Sequence, residues 1–347
     1  MNYGISLLFR AIPLVMAAFC FAYGAYVTFS GDDPSRLTAG PVVFFLGSIC
    51  VALYTTAATI IRQIIGTYTA AARYLFPTIG YATALLTLVC GLILLHSGWA
   101  GAYVTGHVVC GLSLIAVCVS TAATASTRFS EIPRNSADPS FARNPRGFSA
   151  GATRTLLGIV CLTAVVAWVW AVSLFATGPA PQHTVAGSVL AGIACVCTSL
   201  VALVASIVRQ VNGTYALREG SRWTGLVLGM GALAFLFGLI LLIVHWGERI
   251  DFVGTVLFGL ALVCWSISSK VILLAKIWHA DFPLAARIPI IPVVTALACL
   301  FFAAFLFEAA LFAPKFFVPA RVLTGFGAIC FTLFSIVSIL ESGARKK

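Results

Sequence analysis

The sequence predicts an all-α membrane protein, a polytopic bundle of ten transmembrane helices arranged as five tandem, parallel-repeat hairpins. Of its 347 residues, 61% are hydrophobic and only 9% are charged, and the mean hydropathy is +1.06. A water-soluble domain of this length would need far more polar residues to cover its surface. The apolar residues form continuous runs rather than the alternating pattern of barrel strands. Helices are the remaining way to satisfy the backbone within a bilayer.

Ten apolar runs are each long enough to cross a hydrocarbon core of about 30 Å, which requires about 20 helical residues. Most connections between them are short, which predicts that consecutive helices form antiparallel hairpins. The expected spans are 5–29, 39–64, 73–97, 102–127, 152–177, 183–209, 222–246, 251–277, 287–312 and 317–341.

One long connection divides the chain. Residues 128–151 are rich in Pro, Ser, Asn and Arg, which predicts an exposed cytoplasmic loop. Helices 1–4 lie before it, in 1–127, and helices 5–8 lie after it, in 152–279, as a repeat of the first four. Residues 280–347 complete the predicted organisation with helices 9 and 10 and a cytoplasmic tail.

The basic residues predict the orientation. Seventeen of the twenty-one Lys and Arg residues lie on the side that holds both termini, and the other side has only Arg36, Arg249, Lys315 and Arg321. The positive-inside rule therefore predicts cytoplasmic termini. The net charge of +11 is therefore explained by basic residues at the cytoplasmic surface of the lipid bilayer, which is the expected partner. A nucleic-acid partner is excluded.

The even-numbered helices align on a small residue, and a second small residue follows seven positions later. Seven residues turn a helix through about 700°, so both positions share one face, where small side chains allow close helix packing in lipid. We expect repeats related by an axis along the membrane normal. The first set, spaced by 66, 81, 67 and 66 residues, is Gly40, Gly106, Gly187, Gly254 and Ala320, and the second is Gly47, Ser113, Ala194, Ala261 and Gly327.

A charged motif occurs twice, as IIRQIIGTY around Arg62 and as IVRQVNGTY around Arg209, 147 residues later. The glycine suits the left-handed residue that ends a helix, which predicts a helix end followed by a turn. The alternative is a cytoplasmic gate or an anion site formed by the two arginines. Lys270, in the eighth helix, either extends to the cytoplasmic headgroups or lines an inner vestibule with Ser268 and Ser269.

No nucleotide loop, metal-binding spacing, catalytic triad or carboxylate pair is present in the sequence. We therefore expect no enzymatic activity, no catalytic residues, no cofactor and no metal. The eleven cysteines all fall in apolar segments and are expected to be small packing residues.

Four of the five histidines, His96, His107, His183 and His245, are predicted at the outer face. Histidine has an ordinary pKa of about 6.5, so such residues suit the sensing or relay of external protons. The alternative is that they anchor helix ends beside aromatic residues. His107 is the favoured functional residue because it directly follows the packing glycine Gly106.

Glu308 lies in the ninth helix within the apolar run FFAAFLFEAALF. A carboxylate within lipid is costly and usually faces a cavity or a partner. Arg321, early in the tenth helix on the same side, is the expected partner. Structural ion pairing and a proton or ion relay are both open for these two residues.

Several stretches resemble the YhiM family of bacterial inner-membrane proteins, among them LFRAIPLVMAAFC at the start and ARIPIIPVVTALACLFFAAFLFEAALF near the end. The resemblance extends over essentially the whole chain. It implies ten helices in a bacterial inner membrane and a link to acid resistance, and it implies no catalytic or binding residues. The family tends to have Ala-Gly-His at the start of even helices. Thr105-Gly106-His107 keeps the histidine, whereas Gly40-Pro41 and Gly187-Ser188 do not.

Two functions remain open. The first is a transporter or channel that moves protons, ions or a small solute under acid stress and senses pH through its outer histidines. The second is a non-transporting sensor or scaffold that acts through the cytoplasmic 128–151 loop. The expected partners are accordingly an unknown small solute or ion, a second copy of the chain, or a cytoplasmic protein.

Overall fold

The computed structural model describes residues 3–30, 35–99, 101–131, 146–178, 180–245, 250–279, 282 and 288–344. Residues 132–145, the greater part of the predicted 128–151 loop, lie outside this description. In the described part of the chain the secondary structure is helical throughout, with no strand. Within the described residues, ten helices are long and apolar enough to cross a membrane, which confirms the predicted class.

The ten helices agree with the predicted spans to within a few residues at most ends. The largest difference is at α7, which begins at Leu217 instead of residue 222. The Glu219 carboxylate accepts a hydrogen bond from the Ala216 backbone N–H at 3.3 Å, and an acidic group suits a helix N-terminus. The bounds are α1 Tyr3–Phe29, α2 Arg36–Ile64, α3 Ala70–His96, α4 Ala102–Ala125, α5 Ala150–Ala176, α6 Pro181–Val211, α7 Leu217–Val244, α8 Phe252–Trp278, α9 Ile290–Ala310 and α10 Phe317–Ala344.

The even-numbered helices form a closed inner ring. Each contacts its two even neighbours, in the order α2, α4, α6, α8, α10, and α10 packs back against α2. The odd-numbered helices lie outside this ring. Each packs against its own hairpin partner and the preceding even helix, with α1 between α10 and α2. The inner helices are therefore buried, and the outer helices expose apolar side chains such as Leu85 and Phe301.

Glycines among the aligned small residues of the even helices lie at close contacts with their hairpin partners. A Cβ atom added to Gly40 would fall 2.7 Å from the backbone nitrogen of Thr28 in α1. The same addition at Gly106 would fall 2.7 Å from the backbone nitrogen of Leu95 in α3. These contacts fit five hairpins around one axis, although a common repeat as their origin stays a prediction.

The repeated Arg-Gln-x-x-Gly-Thr motif ends α2 and α6, and its glycine is the left-handed residue that was predicted. Gly66 has φ +74° and Gly213 has φ +71°. The backbone N–H of the following threonine, Thr67 or Thr214, donates to the carbonyl of Arg62 or Arg209, at 2.9 Å in each case. This pattern is the Schellman motif.

The glutamine of the same motif fastens one inner helix to the next. The Gln63 amide donates to the Ser126 carbonyl at the end of α4, at 2.7 Å. The Gln210 amide donates to the Leu274 carbonyl near the end of α8, at 2.8 Å. Each bond joins the ends of two neighbouring even helices and stabilises their junction. The motif is thus a structural clamp at this face.

Candidate functional site

The inner ring surrounds a central axis, and each even helix presents one stripe of side chains to it. Successive residues of the stripe are three or four positions apart, which is the spacing of one helix face. Because the five stripes keep the same register, their residues form layers of five across the axis. We call these the axial layers and number them from the face where the even helices begin, the N-terminal face. Layer two consists of Val42, Val108, Val189, Val256 and Val322.

A cavity of about 210 Å³ lies on the axis toward the N-terminal face. Side chains from all five inner helices line it, and nearly all of them are apolar. We call it the mouth cavity. Its walls are the layer-two valines together with layer one, which consists of Thr38, Val104, Val185, Phe252 and Val318.

Layer three closes the mouth cavity. It is bulkier than the layers above it, and each of four of its side chains covers a glycine of a neighbouring inner helix. These pairs are Ile193 on Gly111, Leu260 on Gly192, Phe326 on Gly259 and Leu46 on Gly325. The fifth side chain of the layer is Leu112, which also reaches the floor of the cavity.

The glycine series was missed by the sequence analysis. Its signal is a glycine five residues after the small packing residue in four even helices, whereas α2 has Phe45 at that position. Below layer three, the axis contains a void of only about 20 Å³, little more than a single water molecule requires. Layers four and five surround it with aliphatic side chains: Ile49, Ile115, Val196, Val263 and Ile329, then Leu53, Val119, Leu200, Ile267 and Leu333.

Lys270 continues the axial stripe of α8 below these layers. It follows Val263 by seven residues, so the two share a helix face, and it is only 2% exposed. The described residues provide no ion pair and no hydrogen bond to its ammonium group. The hydroxyls of Ser268 and Ser269 instead donate to carbonyls of their own helix at 2.6 Å.

The two arginines considered for a cytoplasmic gate or anion site point toward outer helices. The Arg62 guanidinium lies over the ring of Phe76 in α3, 5.0 Å from its centroid. Arg209 binds Glu219 of α7 through two hydrogen bonds, of 2.5 and 3.2 Å. Both side chains therefore join inner helices to outer ones. The structure does not bring them together with Lys270 as one gate.

Two of the predicted histidines meet where α4, α5 and α6 adjoin. The hydroxyl of Tyr103 and Nδ1 of His183 are 2.7 Å apart, and either group can be the donor. Nδ1 of His107 lies 2.7 Å from the Tyr103 carbonyl, to which it donates. The His107 ring also contacts Trp170 of α5, with centroids 5.6 Å apart. We call these four residues the histidine cluster.

The other two histidines lie apart from this cluster. His96 is exposed at the end of α3, where its Nδ1 donates to the Leu92 carbonyl at 2.8 Å. His245 caps the end of α7. The structure thus joins only His107 and His183, through Tyr103, and gives no common site to all four.

Glu308 and Arg321 do not form the expected ion pair. Glu308 is exposed on the outer helix α9. The Arg321 guanidinium donates to the Ser35 hydroxyl at 3.3 Å and lies 5.1 Å from the Phe317 ring centroid. The reason is that α9 lies outside the ring, where one side of the helix faces lipid.

An ion pair that the sequence analysis missed lies at the same face. The Lys315 ammonium is 2.6 Å from the carboxylate of Asp251, whose side chain is only 5% exposed. This pair joins the start of α8 to the segment before α10. It ties two hairpins together beside the mouth cavity.

The described residues contain no group of three His, Cys, Asp or Glu side chains that could hold a metal ion. All eleven cysteines are free thiols, and most are buried between helices.

Comparisons with known proteins agree with a membrane fold. Residues 1–345 match the family described as "Protein of unknown function (DUF2776)". The chain is also 40% identical, over the full length of both proteins, to "Inner membrane protein YhiM" of Escherichia coli (strain K12). The chain therefore belongs to the DUF2776 family and is a multi-pass inner membrane protein.

Proposed function

We propose that the chain is a membrane channel or transporter for a small solute or ion, and that its pathway is the axis of the inner ring. The observation that carries this proposal is the mouth cavity, which lies on that axis and is lined by all five inner helices. Narrow apolar constrictions close pathways by excluding water. Layers three to five have this character and would hold such a pathway closed.

The orientation of the pathway follows from the basic residues. With both termini in the cytoplasm, as the positive-inside rule favours, the N-terminal face is the outer one. The mouth cavity then lies toward the outside of the inner membrane, and Lys270 lies in the cytoplasmic half. A solute would reach the apolar layers first and the charged side chain afterwards.

The histidine cluster is placed to couple this pathway to external pH. Tyr103 and His107 directly adjoin Val104 and Val108, which line the mouth cavity. His107 is only 8% exposed, and burying a charge is costly. Protonation of both imidazoles would also place two like charges on either side of Tyr103, which repel. Separation of α4 from α6 relieves both costs and widens the mouth.

Opening in acid agrees with the role in acid-stress resistance that the family resemblance implies. Flux into proteoliposomes, measured at outer pH values of about 5 and about 7.5, tests the proposal. We expect faster flux of ions or small solutes at the lower pH, and loss of this difference in a His107→Ala, His183→Ala double variant. A wild-type protein that passes no ion and no small solute at either pH would contradict the transport function.

The second candidate is a sensor or scaffold that acts through the 128–151 loop, and one observation favours it. The Arg128 guanidinium donates to the carbonyls of Arg146 and Gly147 at 2.6 and 2.7 Å. The Asn212 side chain accepts from the Phe148 backbone at 2.8 Å. The end of the loop is therefore fixed to α4 and α6, through which their movement would reach it. Deletion of 132–145 should abolish acid survival if this function is correct, and full survival would exclude it.

A further inference from the structure

Lys270 is the charged side chain of the axial stripes. It belongs to layer six, seven residues after layer four, and the layer below it is again closed. Layer six consists of Thr56, Ala122, Leu203, Lys270 and Ile336, and layer seven of Ile60, Ser126, Ile207, Leu274 and Leu340, all at most 2% exposed. Of these ten residues, Lys270 carries the charge.

The Lys270 side chain is almost completely buried, at 2% exposure. No described residue forms an ion pair or a hydrogen bond with it, and burial of an unpaired ammonium costs several kcal/mol. Ionisable residues inside membrane proteins commonly mark the path of an ion or substrate for this reason. An anion at this position would supply the missing countercharge.

A second polar group without a partner lies in the same layer. The Thr56 side chain is 1% exposed, and no described residue forms a hydrogen bond with its hydroxyl oxygen. A hydroxyl can donate to an anion. Ala122 is small and leaves the layer less crowded than the leucine and isoleucine layers above it. Layer six thus combines one positive charge and one unused donor on the axis.

We propose that Lys270 and Thr56 bind a small monovalent anion and that the axial pathway selects for anions. This inference rests on the proposed channel or transporter function. One ammonium balances one negative charge, so a divalent anion would remain uncompensated. Chloride and a short-chain carboxylate such as butyrate share the required chemistry.

Binding is tested first, on the purified full-length protein in detergent at constant ionic strength. When chloride or butyrate replaces a bulky organic anion in the buffer, the Tm of the wild type should rise with the concentration of the smaller anion. The reason is that a ligand of the native state stabilises it. The shift should disappear in Lys270→Met and become smaller in Thr56→Val. A response to chloride alone or to butyrate alone identifies which anion the site prefers. Equal shifts in the wild type and Lys270→Met would overturn the proposed site.

Lys276→Met is the matched control. Lys276 lies on the same helix, but six residues after Lys270 and therefore on another face, and it is only partly buried. Its variant should keep the full Tm shift. Loss of the shift in Lys276→Met as well would mean that the anions act through general charge, and would contradict the inference.

Selectivity is tested separately, in proteoliposomes. The ratio of chloride or butyrate flux to potassium flux should fall roughly tenfold in Lys270→Met, whereas Lys276→Met should retain the wild-type ratio. An unchanged ratio in Lys270→Met with measurable flux would refute the anion site but leave the channel intact. Absence of all flux, together with a Lys270-dependent Tm shift, would refute the channel and leave the anion site.

Discussion

The ring of Phe326 in α10 lies directly over Gly259 of α8, so that a side chain of layer three, the floor of the mouth cavity, rests on a glycine backbone. A Cβ atom added to Gly259 would fall 3.0 Å from Cε2 of Phe326 and 2.7 Å from Cδ2 of Leu323. The occlusion of the axis and the packing between inner helices therefore depend on the same contact.

Gly259→Ala should destabilise the protein. The added methyl group overlaps Phe326 and Leu323, and overpacking of this kind typically costs about 1–3 kcal/mol. Thermal unfolding in detergent measures the loss. Gly225→Ala is the control, because a Cβ there has no neighbour within 4 Å, and it should leave the Tm unchanged or raise it. A Gly259→Ala protein as stable as the wild type would show that layer three is not closely packed.

Gln210→Ala should destabilise the protein more than Gln63→Ala. Gln210 is 1% exposed, and its loss leaves the Leu274 carbonyl without its side-chain donor. The carbonyl keeps its hydrogen bond within α8, so the loss is that of one buried hydrogen bond, typically about 0.5–1.5 kcal/mol. Gln63 is partly exposed, so water replaces much of its bonding to α4. These losses are compared by measuring the Tm of both variants in detergent. A lower Tm for Gln63→Ala than for Gln210→Ala would contradict the assigned clamps.

Asp251→Asn should destabilise the junction of α8 and α10. The variant removes the charge that Lys315 faces at 2.6 Å, and hydrogen bonds to charged groups contribute about 1.5–3 kcal/mol. A double-mutant cycle with Lys315→Met isolates the interaction between the two residues. Additive effects of the two substitutions on the free energy of unfolding would show that the pair contributes nothing.

Tyr103→Phe should weaken the pH dependence of flux and leave the flux at about pH 7.5 near its wild-type value. The substitution removes the hydroxyl that contacts His183 and keeps the ring that packs on His107. The control is His96→Gln, at an exposed position outside the histidine cluster. A pH response that is lost in the control and kept in Tyr103→Phe would place the sensor elsewhere.

The spans were predictable because the length of an apolar run is read directly from the sequence. Which face of each helix packs inside the protein was harder to predict, since lipid and the protein interior favour the same side chains. Glu308 was expected to meet Arg321 for this reason, whereas it is exposed on an outer helix. The small packing residues, Gly40 and Gly106 among them, were recognised by their spacing.

The site on the axis could not be predicted from the sequence, because it depends on how the five inner helices are arranged in the ring. Lys270 reads in the sequence as a lysine near the end of a helix, and Thr56 as one of several threonines in α2. Their common layer depends on the register of helices that are more than 200 residues apart in the chain. The contact between α10 and α2, which closes the inner ring, likewise has no signal in the local sequence.

The most direct test of an axial pathway is the electrical conductance of Phe326→Ser in planar bilayers. A polar side chain in layer three should allow water into the constriction, so we predict step-like currents that the wild type shows rarely. Phe301→Ser, on the lipid-facing side of α9 where Phe301 is 72% exposed, should behave as the wild type does. Absence of step-like currents in Phe326→Ser, or equal currents from both variants, would contradict a pathway along the axis.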